Sequence, residues 1–289
     1  MCFNGITISR KRHVDFENMA KNRKEMKEPV LQVHGVTLTR GENLTLREFS
    51  WSVGKGEHWV ILGPNGSGKS TLVQVLQGWL WPQEGEVSVL GRNFGSDDVA
   101  ELRRHVAWVG NEVEPEFPAH QTVGEVVASG TVGTLGIQFD LPDAKQKVAV
   151  KQALKLLRLT HLATRSFRQL SQGQRRLVVI ARALAMQPDL LLLDEPTSGL
   201  DPVARERFLE RVERLLRPNS GGPLVVYITH HLEEILPGFS HVLLLREGRV
   251  VAAGPRKKVL TPKILEKTFA ARFTISSQNG RLYGRLIGA

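Results

Sequence analysis

The chain has 289 residues, 41% of them hydrophobic, and carries 39 Lys and Arg against 29 Asp and Glu, a formal net charge of +10. That length buries one sizeable core with room for a small helical insertion. No apolar run approaches the roughly 18 residues that cross a bilayer, the N-terminus holds no apolar signal core, and Cys2 is the only cysteine. Neither secretion nor a disulfide framework is indicated, and a cytoplasmic location is expected. The charge sits at the ends: residues 1–28 hold seven Lys and Arg against four Asp and Glu, residues 255–289 hold eight against one, and the stretch between holds 24 of each sign.

In chain order, residues 1–28 show no helix or strand period and read as a disordered basic extension, or as an overlong start ahead of Met26. A strand-like run at residues 58–62 then leads into Gly63-Pro64-Asn65-Gly66-Ser67-Gly68-Lys69-Ser70, and a helix-like run over residues 69–76 leaves it. Strand, Gly-rich loop and helix are the context that the phosphate-cradling pattern G-x-x-x-x-G-K-[ST] needs. Its glycines let backbone N–H groups close on phosphate, and the helix N-terminus adds partial positive charge. Lys69 would reach the β- and γ-phosphates and Ser70 would give its hydroxyl to Mg²⁺, with Thr71 beside it among the nucleotide-binding candidates. A chance match is expected in roughly one chain in a hundred of this size, so the loop alone says phosphate and names no reaction.

Further along, Leu170-Ser171-Gln172-Gly173-Gln174 precedes an apolar-periodic stretch that reads as a helix to Met186. The Ser171-x-x-Gln174 spacing is a capping box, which opens a helix with free N–H groups and a hydroxyl at its tip. Leu190-Leu191-Leu192-Leu193-Asp194-Glu195-Pro196 follows, a buried parallel-strand run ending in two adjacent carboxylates. Open α/β sheets bind ligands at the carboxyl ends of their strands, so this pair would emerge beside the phosphate loop. There Asp194 can hold the Mg²⁺ shell while Glu195 polarises a water for attack on the γ-phosphate. Thr197-Ser198-Gly199-Leu200-Asp201 comes at once, and a strand at residues 224–229 ends in His230-His231. Adjacent residues on an extended strand point to opposite faces, so one of the two histidines is expected to face the nucleotide. Near the C-terminus, residues 273–278, Asn279-Gly280 and residues 281–286 read as a hairpin with a type I′ turn.

These pieces in this order resemble the ATP-binding-cassette ATPases, and the resemblance covers roughly residues 29–254. It implies an α/β fold: a P-loop NTPase cassette with a mixed, largely parallel sheet core, an antiparallel β subdomain and an inserted helical subdomain at about residues 112–168. Residues 255–289 would be a basic tail. The resemblance also implies roles residue by residue. Lys69, Glu195 and His230 would carry catalysis, with His230 contacting the γ-phosphate. Ser171, Gly173 and Gln174 would clamp ATP held by a second copy of the chain, and Asp201 would communicate between the two. With one phosphate loop and no internal repeat, the chain holds half of each composite site, so a head-to-tail homodimer with two MgATP is expected.

Two positions depart from the family pattern. Arg40 stands where an aromatic usually stacks on adenine, and a guanidinium plane can stack in its place. Asn111 stands where a Gln usually senses Mg²⁺ and the membrane partner; it keeps the amide but is one methylene shorter. These features, with Gly56-Glu57-His58-Trp59 and Thr229-His230-His231-x-Glu233-Glu234, resemble a cassette branch whose names are linked to molybdate transport and photorepair. The expected function is the ATP-hydrolysing subunit of a transporter, held at the inner face of the cell membrane by separate transmembrane permease subunits. The alternatives are a cassette ATPase without a pore, acting on nucleic acid or another cytoplasmic target, for which the basic tails speak, and an ATP-dependent dimer switch with slow turnover.

Overall fold

A computed structural model describes residues 29–41, 43–110, 117–118, 120–134, 142–218 and 220–288; the expected sensor Asn111 and the expected disordered extension, residues 1–28, lie outside these. Strands β1 (Leu31–Arg40) and β2 (Asn43–Val53) pair antiparallel and lead to β3 (Trp59–Leu62), which is buried along its whole length. Helix α1 (Lys69–Leu76) follows, then β4 (Glu84–Val89), β5 (Arg92–Asn93), the short α2 (Val99–Leu102) and β6 (Val106–Val109). A helical layer comes next: α3 (Val123–Val132), α4 (Ala144–Leu156) and α5 (Gln172–Ala185). Each of these three opens with a capping box, made by Thr122 with Glu125, Asp143 with Gln146 and Ser171 with Gln174, so two backbone N–H groups at each start find local acceptors. The chain closes with β7 (Leu190–Asp194), α6 (Pro202–Leu215), β8 (Leu224–Thr229), β9 (His241–Arg246), β10 (Arg249–Pro255), α7 (Arg256–Val259), α8 (Pro262–Phe269), β11 (Arg272–Gln278) and β12 (Arg281–Gly288).

The central sheet has the order β10-β9-β3-β8-β7-β6, parallel throughout except for the edge strand β10, and a second, antiparallel sheet has the order β2-β1-β4-β5. The apolar run in β7 is uninterrupted because both faces of the central sheet are covered. Leu191 and Leu193 pack with the helices on one side, while Leu190 and Leu192 pack with α1 and the antiparallel sheet on the other. Strands β3, β8 and β7 are neighbours and run the same way. Their carboxyl ends therefore deliver three loops to one edge: the phosphate loop after Leu62, the histidine pair after Thr229, and Asp194 with Glu195.

Candidate active site

The phosphate loop is shaped by close backbone approach. A Cβ at Gly63 would lie 2.2 Å from the carbonyl oxygen of Leu245, and Gly68, at φ 102°, would bring one 2.7 Å from that of Thr45. Ser67 N–H donates to Pro64 O at 3.2 Å, Gly248 N–H to Ser67 O at 3.0 Å and Arg47 N–H to Gly248 O at 2.9 Å, so the loop is pinned between β2 and the turn after β9. Gly68 caps α1 without a side chain, which leaves the first N–H groups of that helix to an anion. Pro64, Asn65 and Gly66 form the outer rim of the loop, and Thr71 is buried one turn in.

Lys69 is 5% exposed, with Nζ donating to Gly63 O at 2.9 Å and Pro64 O at 3.0 Å and standing 3.7 Å from Glu195 Oε1. Burial pushes the ammonium below the usual lysine range, and the carboxylates of Glu195 and Asp194 pull it back. A buried cation in this balance favours a further anion beside it. Glu195 is held at φ 46°, a left-handed conformation costing about 1–3 kcal/mol in a residue with a side chain, and its N–H is fixed on Ile228 O at 2.9 Å. Its Oε1 lies 3.1 Å from His230 Nδ1. A carboxylate accepts only, so the ring donates from Nδ1.

Ser70 and Asp194 both line a small cavity of about 130 Å³ together with Gln74, Gln77, Trp79 and Trp108. The donor set fits a magnesium nucleotide: a hydroxyl and a carboxylate oxygen on one cavity are the hard ligands that Mg²⁺ takes. The buried Ser67 hydroxyl, which has no partner of its own, and the loop N–H groups suit phosphate.

Lys69, Glu195 and His230 are thus brought together, with Ser70 and Asp194 alongside. Ser171, Gly173 and Gln174 lie at the start of α5, where the exposed Ser171 accepts at Oγ from Gln174 N–H at 3.4 Å and the buried Gly173 packs towards Leu200 and Ala204. Asp201 caps α6, its Oδ1 accepting from Val203 and Ala204 N–H at 2.9 and 3.0 Å. Arg40 is exposed at the end of β1. The histidine pair does not follow the strand alternation expected of it. Strand β8 stops at Thr229, so the two side chains do not alternate, and their rings lie 4.1 Å apart. What separates them is their partners: His230 meets Glu195, whereas His231 Nδ1 lies 3.5 Å from Glu233. Sequence reasoning quoted Glu234 within its histidine run but gave it no role. This carboxylate is 1% exposed and accepts from Thr197 Oγ1 at 2.6 Å, Thr229 Oγ1 at 2.7 Å and Tyr227 OH at 3.0 Å. Its one sequence signal is an acidic residue set directly against the apolar Ile235-Leu236.

A parallel-sheet edge that presents a buried lysine to a strand-end carboxylate pair is the layout of a P-loop nucleoside triphosphatase. The ABC transporter family pattern matches residues 46–198, more than half of the chain. YlmA of Bacillus subtilis, an uncharacterized ABC transporter ATP-binding protein, is 36% identical over 241 residues, spanning 83% of this chain and 90% of its own. ModF of Escherichia coli, an ABC transporter ATP-binding protein, is 33% identical over 231 residues, 78% of this chain but 46% of ModF. The structure of cbiO1 from Clostridium perfringens, part of the ABC transporter complex cbiONQ, superimposes with a TM-score of 0.71 at 27% identity, covering 83% of this chain and 94% of cbiO1. The chain belongs to the ABC transporter family and is an ATP-binding, ATP-hydrolysing subunit of such a transporter. Members of this family bind ATP, generally with Mg²⁺. Among the described residues no helix is long and apolar enough to cross a membrane.

Proposed function

We propose that two copies of this chain close head to tail around two MgATP and use hydrolysis to drive a substrate through separate membrane subunits at the inner face of the cell membrane. The observation that carries the reading is the placement of Glu195 Oε1, 3.1 Å from His230 Nδ1 and 3.7 Å from Lys69 Nζ, at the ends of adjacent parallel strands. In this reading Glu195 takes the proton of the water that attacks the γ-phosphorus, ADP departs, and Lys69 neutralises the charge that develops on the β- and γ-oxygens. Mg²⁺, held by Ser70 and Asp194, would neutralise the remaining phosphate charge, with Asn111 in the sensor position. With Nδ1–H given to Glu195, the neutral His230 ring has only a lone pair at Nε2. Donation from Nε2 to a γ-oxygen therefore requires either a second ring proton or release of Glu195. Ser171, Gly173 and Gln174 of the second copy would cover the γ-phosphate, Asp201 would sense that contact, and Arg40 would stack on the base.

A membrane partner is supported by an aromatic face near Ser70 and Asp194: Trp79 and Trp81 are 61% and 50% exposed, and the Arg103 guanidinium lies 4.0 Å over the Trp79 ring. Large apolar rings exposed in one neighbourhood mark interaction surfaces. The test is Glu195→Gln. Its steady-state turnover should fall about 10²- to 10³-fold while MgATP binding persists and a dimer accumulates on size exclusion. Wild-type turnover, or no MgATP binding by the parent protein, would overturn the reading. Captured from detergent extracts in that trapped state, the dimer should bring down hydrophobic subunits in stoichiometric amount.

A further inference from the structure

The C-terminal hairpin reaches two of the chain segments that leave the candidate active site. Its turn, Asn279 at φ 51° and Gly280 at φ 76°, places Arg281 at the start of β12. The Arg281 side chain is mostly buried. Nε donates to the carbonyl oxygen of Glu233 at 2.9 Å, Nη2 donates to that same oxygen, and Nη1 and Nη2 together grip the two carboxylate oxygens of Glu206. Glu206 lies on α6, the helix capped by Asp201; Glu233 lies in the single turn that follows His230 and His231.

The rest of the hairpin seats on that same turn. A Cβ on Gly284 would lie 2.6 Å from Leu232 Cδ1, and one on Gly280 would lie 3.2 Å from Pro237 Cγ. Arg256 joins the two sides, donating to Leu236 O at 2.9 Å and Gly280 O at 2.8 Å. A second link to α6 runs from the Glu233 carboxylate to Arg205 at 3.5 Å. Bidentate Arg–carboxylate pairs fix geometry as well as adding energy. One guanidinium thus sets the spacing between the helix after Asp201 and the turn after His230.

We propose that Arg281 is a positioning residue for hydrolysis: the C-terminal hairpin is a clamp that holds the histidine turn against α6, so that His230 stays in register with Glu195. The inference rests on the hydrolytic reading of the site given above.

The test is a kinetic cycle of ATP turnover in the full-length protein with Arg281→Gln, His230→Ala and the double variant. Arg281→Gln should lower kcat about tenfold, the scale expected when a catalytic group is slightly misplaced, with KM for ATP changing less than about twofold because the phosphate loop is untouched. In the His230→Ala background the same change should add nothing further. Glu206→Gln, which loosens the grip while leaving Arg281 on the Glu233 carbonyl, should reproduce part of the loss and decides the matter if Arg281→Gln does not fold. Wild-type kcat in folded Arg281→Gln or Glu206→Gln, a parallel rise in KM, or an equal loss with and without His230 overturns the clamp. Fast turnover by His230→Ala itself would instead remove His230 from the hydrolytic site, and the clamp with it, while slow turnover by Glu195→Gln would leave the hydrolytic reading standing.

Discussion

Thr197 gives its hydroxyl to Glu234 Oε1 at 2.6 Å, and so ties the residue two places after the candidate base to the turn that follows the histidine pair. The other oxygen of Glu234 takes the hydroxyls of Thr229, just before His230, and of Tyr227. One buried carboxylate therefore joins the ends of β7 and β8. The fully buried Tyr227 hydroxyl is pushed well above its ordinary range by burial and by Glu234, so it stays protonated and donates to that carboxylate.

Replacing Glu234 by Ala leaves three buried hydroxyls without their acceptor, each costing about 1–3 kcal/mol when unsatisfied. The variant should lose on the order of 3 kcal/mol in urea unfolding, since partial relaxation and water recover some of the sum. Turnover should fall with it. Glu234→Gln, which keeps one acceptor oxygen, should lose about half as much.

The left-handed backbone of Glu195 has its own consequence. Glycine ordinarily destabilises relative to alanine, but at φ 46° the order reverses because only glycine lacks the Cβ that makes the conformation costly. Glu195→Gly should be more stable than Glu195→Ala by about 1 kcal/mol. Both should be inactive. Equal stabilities in parallel denaturant titrations would show that the backbone there carries no strain.

His58 predicts an acid-sensitive step in stability. Its Nδ1 accepts from Val225 N–H at 3.1 Å, and burial lowers its basicity below the usual value of 6.5. The unfolded chain therefore binds this proton more readily than the folded one. The stability is fully present above pH 6.5 and is lost as pH falls through the lowered value. The melting temperature should drop between pH 7 and pH 5, and His58→Asn, whose Oδ1 accepts in the place of Nδ1, should flatten that drop.

Much of this architecture was legible in the residues because its signals are local. The Ser171-x-x-Gln174 box marks the start of α5, and the unbroken leucines of β7 mark a strand covered on both faces. The phosphate loop announces itself through glycines, two of which, Gly63 and Gly68, have no room for a side chain. What was hidden depends on contacts distant in sequence. Glu234 looks like any surface acid until Thr197, 37 residues earlier, is folded onto it. The expected end of the strand at residue 229 agrees with β8, but which partner each histidine meets depends on Glu195, 35 residues earlier than His230, and on Glu233. Arg281 reads as one more tail charge until the hairpin lies on Leu232.

The pinning of Ser67 and Gly68 between Thr45 and Gly248 bears on what binding can accomplish. A cradle held in shape by these backbone hydrogen bonds and contacts loses little conformational entropy when phosphate docks. The free energy of docking phosphate then remains available for larger rearrangements, such as drawing two chains together. A mould that had to be ordered first would consume part of that free energy before any motion began.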